Sequence, residues 1–354
     1  MTISPPFKLP RRYGPPKEVV TGGQGSVFFC HDEFLDRDVA IKFVKPGGDA
    51  DALVKEVQAL SSVHSKHVVQ LYDVLSDKSG SSVGVVLEYI PGRDLTEFQT
   101  SDTTSLLKVL YQLSCGIADI HGAGLIHRDV KPKNAKFDNA GILKLFDFAL
   151  SCATEDAETT AARGTTPYRA PEFYEKPPIN FTKSIDAYAF GVIAWWLAEQ
   201  SLRSELRSVP PRAAPSFGTC SVNFPIGVVT ALDATLECDP TKRAHMRDVR
   251  DVIAKHLLYG KHNASISDGA QTLVINKIGQ SARLNLGGIG STAIAYDGLD
   301  FSLSQVSGDV YVNGVVAQPN LVLPQSCVII IGAPNLGSSR KFATFDVSHP
   351  EVVL

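Results

Sequence analysis

The stretch His127-Arg128-Asp129-Val130-Lys131-Pro132-Lys133-Asn134, with Asp147-Phe148-Ala149 beginning thirteen residues after Asn134, decides how this chain reads. It sets two acids, an amide and a lysine at fixed, short spacings. Asp129 can accept the proton of an attacking hydroxyl, and Lys131 can neutralise charge that builds on a transferred phosphoryl group. Asn134 and Asp147 are oxygen ligands of the kind a hard cation takes. The bland alternative, a loop with incidental charges between helices, is weakened by the stretches that flank it.

Composition bounds the answer. The 354 residues allow one large or two ordinary domains. With 44% hydrophobic and 20% charged residues, the chain can bury a core. A net charge of −3 gives no electrostatic case for nucleic acid or a membrane surface. The six cysteines (Cys30, Cys115, Cys152, Cys220, Cys238, Cys327) are scattered without a C-x-x-C pair, which fits neither a metal site nor a disulfide framework. Reduced thiols in a cytosol are expected. The first sixteen residues carry five prolines and no apolar run, which is unlike a signal peptide; residues 1–12 read as a flexible arm. The longest apolar runs, 187–198 and 327–332, are too short to span a bilayer, so a soluble, cytoplasmic protein is expected.

Moving outward from the opening stretch, short alternating runs at 17–21, 26–31 and 38–44 predict twisted strands. Residues 52–62 have helical period, with Leu53, Val57 and Leu60 on one stripe, and 68–75 and 83–90 are further strands. Beyond Pro91 the pattern becomes helical: 106–121 and 185–198 have broad apolar faces, and 228–237 and 246–257 are shorter helices. This gives a strand-rich lobe at about 13–90 and a helix-rich lobe at about 91–258. Residues 259–271 are polar and small and read as a linker. From 272 to 354, short β-prone runs alternate with glycine-bearing turns, as in an all-β domain.

These stretches together resemble the eukaryotic-type protein kinase family in its bacterial, Hanks-type form, which is written H-R-D-x-K-x-x-N and D-F-G at these points. The resemblance implies an α+β, bilobal kinase fold that binds ATP with magnesium, or manganese in its place. Asp129 would be the base, and Asn134 and Asp147 the metal ligands. His127 would pack the loop. Val39-Ala40-Ile41-Lys42 resembles the strand whose lysine holds the α- and β-phosphates, and Glu56 is its expected partner. Fifteen residues before Lys42 stands Val27, expected to cover the adenine together with Ala40. Gly25 and Gly22 match the third and second glycines of G-x-G-x-x-G-x-V, Gly23 adds backbone freedom, and Val20 stands where the first glycine belongs. Val86 to Ile90 resembles the hinge, with Leu87 as gatekeeper and the backbones of Glu88 and Ile90 facing the adenine edge.

Gly164-Thr165-Thr166-Pro167-Tyr168-Arg169-Ala170-Pro171-Glu172 resembles the end of the activation segment. Thr165 would bond near Asp129 and Lys131, and Thr165 with Lys131 is the serine/threonine pattern. Glu172 would pair with Arg243, and Asp186 would hold the catalytic-loop backbone. Arg128 would need an anion. Thr159 or Thr160 is the expected autophosphorylation site, and Glu155 or Glu158 is the alternative partner. Ala149 replaces the family's glycine and should restrict the swing of Asp147.

The run from Ser302 through Val310-Tyr311-Val312-Asn313-Gly314 to Ile329-Ile330-Ile331-Gly332 resembles a forkhead-associated (FHA) domain, an all-β sandwich that reads phosphothreonine. Its ligand set is degenerate. Lys277 stands for the arginine, Ser291 is the candidate serine, no histidine follows, and Asn313 remains. Arg283 with Lys277 could make a weak anion site. The expected function is a serine/threonine protein kinase acting on protein hydroxyls, with a phosphopeptide or protein partner at the FHA-like domain, and with neither nucleic acid nor membrane as partner. The alternative is a pseudokinase or adaptor that binds nucleotide and signals by docking.

Overall fold

The structure is a computed structural model that describes residues 4–21, 25–44, 50–78, 83–148, 150–153, 158–159, 165–176, 179–348 and 350–352. Its contacts divide the chain into two units, Met1–Ile253 and Ala254–Val353.

The first unit begins with β1 (Glu18–Thr21), β2 (Gly25–Asp32), β3 (Arg37–Val44), α1 (Ala50–Ser62), β4 (Leu71–Ser76) and β5 (Val83–Glu88). The strands form one antiparallel sheet in the order β1-β2-β3-β5-β4. The period-2 alternation of β3 divides its side chains between two surfaces. Val39, Ile41 and Phe43 enter an apolar cluster with Phe28, Cys30, Leu75 and Val86. Ala40 and Lys42 line a cleft on the other side.

That apolar cluster is covered by the N-terminal residues. Phe7 meets the Phe43 ring edge-on at 5.4 Å, Tyr13 is buried, and Arg12 donates Nε and Nη2 to the two oxygens of buried Asp32, both at 2.7 Å. The flexible arm expected at 1–12 is therefore corrected over its described part, 4–12. An apolar sheet face needs cover, and Phe7 and Leu9 supply it.

The helix-rich part contains α2 (Thr103–Gly122), β6 (Leu125–Ile126), β7 (Ala135–Phe137), β8 (Leu143–Leu145), β9 (Cys152–Ala153), β10 (Glu158–Thr159), β11 (Ile179–Asn180), α3 (Ser184–Glu199), α4 (Ser204–Arg207), α5 (Ile226–Thr235) and α6 (Met246–Leu257). Asp102 caps α2 by accepting from Thr104 N and Ser105 N. Helix α3 is buried nearly all round, with Tyr188, Phe190 and Trp195 fully enclosed, as expected of a central helix without a polar face. Among the described residues no helix is long and apolar enough to cross a membrane. The short pairs β6–β9 and β7–β8 hold the loops that follow α2. Leu145 N donates to His67 O and Val69 N to Leu145 O, which ties β8 to the stretch before β4.

The second unit has β12 (Asn263–Ser267), β13 (Thr272–Ile275), β14 (Ser281–Leu286), β15 (Gly290–Tyr296), β16 (Phe301–Gly308), β17 (Val310–Val312), β18 (Val315–Val316), β19 (Ser326–Ile331) and β20 (Lys341–Ser348). A six-stranded sheet (β13-β12-β20-β19-β17-β18) and a three-stranded sheet (β14-β15-β16) share one core that includes Ile266, Ile294, Leu303, Ile329 and Phe345. The expected linker at 259–271 is corrected: it contains β12, which pairs with β13 and β20. Only Ala264 and Ile266 of β12 point inward, too few to mark a strand by hydrophobicity. The candidate serine, Ser291, belongs to β15, the middle strand of its sheet.

Candidate active site

Ala40 and Lys42, projecting from β3, open a cleft of about 550 Å³. Lys42 Nζ donates to both oxygens of Glu56 at 2.8 Å and to Asp147 Oδ1 at 3.2 Å. Glu56 comes from α1 and is almost fully buried. Burial alone would pull the Lys42 ammonium down, but Glu56 and Asp147 outweigh it and hold its pKa above the ordinary value. Burial pushes the Glu56 carboxyl up, with Lys42 opposing.

Asp129 Oδ1 accepts from Thr165 Oγ1 at 2.9 Å, and Asp129 Oδ2 accepts from Lys131 Nζ at 2.6 Å. Lys131 Nζ also donates to Thr165 Oγ1 at 3.0 Å, closing a triangle of three side chains. Asn134 Nδ2 donates to Asp129 O and Oδ2, which leaves the side-chain Oδ1 of Asn134 as an acceptor. Asp129 and Asp147 line the same cleft.

The backbone between these groups is constrained. Arg128 and Asp147 have φ of 68° and 65°, a left-handed conformation that side-chain-bearing residues seldom adopt and that clusters at functional sites. Asp186, at the start of α3, pins the first of them: its carboxylate accepts from His127 N at 2.8 Å and Arg128 N at 2.9 Å, and from His121 Nε2 at 3.0 Å. Burial alone would raise the Asp186 carboxyl; the donor from His121 and those from the backbone outweigh it and hold its pKa low. His127 Nδ1 accepts from Asp129 N, so its Nε2–H donates to Phe146 O, and the ring packs on Phe148 at 4.7 Å.

The roof departs from a glycine loop at one point. Val20 pairs directly with Val27 across β1 and β2, and both line the cleft with Gly25. Val20 thus acts as a second roof residue. Gly22, Gly23 and Ala149 lie outside the described residues. At the far end stand Leu87, Glu88 and Ile90. The Glu88 carboxylate pairs with Lys144 at 3.0 Å and accepts from Gln70 N. The sequence reading missed Phe29, Val69, Lys136 and Phe146, which also line the cleft. Phe146 precedes Asp147 and Lys136 follows Asn134 by two, so their adjacency to the motif was the available signal.

Arg128 stacks its guanidinium over Phe181 at 4.8 Å, and its buried Nε and Nη2 have no hydrogen-bond partner among the described residues. Thr159 belongs to β10. Thr160 and Glu155 lie outside the described residues, as do the side chains of Thr159 and Glu158. Glu172 and Arg243 form a two-pronged buried pair at 2.6 Å, and the guanidinium donates further to Glu237 O, Ser184 O and Cys238 O.

In the second unit the expected anion ligands are engaged elsewhere or set apart. Asn313 (φ 50°) accepts from Val328 N through Oδ1 and donates its own N–H to Val328 O. Arg283 Nη2 donates to Gln305 Oε1 at 2.6 Å. Ser291 lies on β15 opposite Asn285 and Ser307. Lys277 is exposed in the turn before β14.

Residues 15–208, more than half of the chain, match the family model of the protein kinase domain. The chain belongs to the protein kinase family. Similar kinases include the serine/threonine-protein kinase drp72 of Corynebacterium efficiens, 32% identical over 189 residues, 49% of this chain and 36% of that protein. Others are the probable serine/threonine-protein kinase pknA2 of Bifidobacterium longum (32% over 199 residues; 52% and 26%) and the serine/threonine-protein kinase PrkC of Bacillus subtilis (29% over 202 residues; 54% and 31%). The chain thus spans about a third of the length of the curated relatives it matches.

Proposed function

We propose that the chain is a serine/threonine protein kinase that transfers the γ-phosphoryl group of ATP to protein hydroxyls in the cytoplasm. The observation that carries this reading is the Asp129–Lys131–Thr165 triangle, with Asp129 and Lys131 lining the same cleft as the Lys42–Glu56–Asp147 chain. The residues fit a magnesium–nucleotide complex. Asp147 and the side-chain Oδ1 of Asn134 are hard oxygen donors. When bound, that complex supplies the electrophilic phosphorus and neutralises its oxygens.

The chain's own residues do the rest. Lys42, locked by Glu56, is placed to hold the α- and β-phosphates. Asp129 is hydrogen-bonded on both oxygens, which fixes its orientation toward an incoming hydroxyl. It takes the hydroxyl proton, while Lys131 offers positive charge beside the transferred group. Thr165 links the activation segment to Asp129, so ordering of that segment and readiness of the base are coupled. The Arg128 guanidinium, whose Nε and Nη2 have no hydrogen-bond partner among the described residues, is a seat for a phosphate on Thr159 or Thr160, added by autophosphorylation.

The catalytic domain extends over 13–258. The second unit is an FHA-like sandwich that docks a protein or phosphopeptide partner. Its two sheets with one core and its Asn313-Gly314 turn support that reading. The engagement of Asn313 and Arg283 within their own sheets favours partner docking over phosphothreonine reading.

The test is incubation of the purified chain with labelled ATP and magnesium, followed by mapping of phosphosites. Incorporation on serine or threonine that disappears in Asp129→Asn supports the reading. Incorporation that survives in that variant removes Asp129 as the base, and none in the wild type leaves the docking alternative.

A further inference from the structure

Most charged side chains that line the cleft have an ionic partner. Lys42 holds Glu56 and Asp147, Lys131 holds Asp129, and Glu88 is held by Lys144. Lys136 has none: no carboxylate among the described residues lies within ion-pair distance of its ammonium, which stands 5.8 Å from the centre of the Phe146 ring. Its register makes this more pointed. Lys136 pairs directly with Lys144 across β7 and β8, which sets two like charges opposite each other. Glu88 neutralises Lys144 and leaves Lys136 as uncompensated charge in a cleft whose other walls are largely apolar.

Backbone contacts place Lys136 beside the segment that leaves β5. Phe137 N donates to Arg93 O, Asp94 bridges to Lys136, and Gly92 lies so close to Phe137 O that no Cβ would fit. That segment continues from Glu88 and Ile90, at the end of the cleft opposite the phosphate-holding Lys42. A cation without a counter-ion, set against aromatic and aliphatic surface, is satisfied by an electron-rich π-face.

We propose that Lys136 is a base-recognition residue whose ammonium lies against the face of the purine ring of the bound nucleotide. This rests on the reading of the cleft as a nucleotide site. The apolar residues around the cleft hold the base by area alone; Lys136 adds a charge–quadrupole attraction that favours a flat, electron-rich ring.

The test is calorimetric titration of the full chain with adenosine, ADP and ATP in the presence of magnesium. Lys136→Met keeps the length of the side chain and removes its charge. Its affinity for all three should fall by a similar factor, about 3- to 30-fold. Lys136→Arg should bind within about threefold of the wild type, because guanidinium stacks as well as ammonium does. Lys136→Gln replaces the Met variant if that one fails to melt as the wild type does. Equal affinity of wild type and the uncharged variant for all three ligands overturns the proposal. So does a loss confined to ADP and ATP, which would put the ammonium on a phosphate. Failure of the wild type to bind any of the three overturns the nucleotide reading itself, and this inference with it.

Discussion

In the first unit, side chains from separate parts of the sequence bond to one another in or beside one cleft: Lys42 from β3 to Glu56 from α1 and Asp147 from the stretch after β8, and Asp129 and Lys131 from the loop before β7 to Thr165. In the second unit, the polar residues that attract attention bond to their own sheets: Asn313 to the β19 backbone and Arg283 to Gln305 of β16. The first pattern gathers charged groups in one cleft at a cost in burial, as the proposed ligand site would require. The second satisfies the sheets' own hydrogen bonds. Convergence on a shared cleft therefore separates a candidate ligand site from architecture better than residue type does; the Glu172–Arg243 pair also joins distant sequence, but neither residue lines that cleft.

The sharpest way to break that contrast is Asp129→Asn. The carboxamide keeps the size of the group and can still meet Thr165 and Asn134, but it cannot take a proton. Turnover in a phosphate-incorporation assay should fall by about 10²- to 10⁴-fold, with a melting temperature close to that of the wild type. A large loss of stability instead would make Asp129 an architectural residue, like Asn313.

Next in size is Arg243→Ala. Removing the guanidinium strands the buried Glu172 carboxylate and three main-chain carbonyls, and should cost about 3–5 kcal/mol in denaturant unfolding of the first unit. Asn313→Ala should cost the second unit about 1–2 kcal/mol: the Val328 N–H loses its acceptor, and a left-handed backbone at φ 50° must then carry alanine. A loss of partner binding without loss of stability would reverse that assignment.

Much of the first unit was legible because its candidate site residues lie in short, spaced motifs and its strands alternate cleanly. Val39-Ala40-Ile41-Lys42 shows its core face and its cleft face in four letters. The boundaries of β12 and the docking of Phe7 and Arg12 were not legible. β12 shows only Ala264 and Ile266 inward, and its strand character comes from two neighbours distant in sequence, β13 and β20. Phe7 packs because an apolar sheet face elsewhere needs cover, a need that no local pattern around Phe7 displays. Lys136 escaped because a lone lysine in a strand usually reads as solvated, and its missing counter-ion becomes visible only when its neighbours are placed.

The docked N-terminal segment supplies a pH-dependent test. The Arg12 guanidinium holds the Asp32 carboxyl down to about 2, against burial, which alone would raise it. A carboxyl depressed in the folded state contributes stability that is present above its unfolded value, near 3.9, and is lost as pH falls through the folded value. Thermal stability of the wild type should therefore drop between about pH 4 and pH 2, and Asp32→Asn should flatten that part of the profile while lowering stability at neutral pH. An unchanged acid profile would return residues 4–12 to the flexible arm that the sequence alone suggests.

The smallest expected effect bears most directly on the contrast between the units. Arg283→Ala removes an exposed side chain whose observed bond is to Gln305, so stability should change by less than about 0.5 kcal/mol. Because Arg283, Ser291, Lys277 and Asn313 sit on different elements and two of them are bonded within their sheets, affinity for a phosphothreonine peptide, measured by fluorescence anisotropy, should not move either. A clear drop in peptide binding at unchanged stability would mean that these residues converge on an anion after all. The second unit would then follow the same rule as the first: charge held in readiness for a ligand, with specificity set by a site rather than by the shape of a sheet.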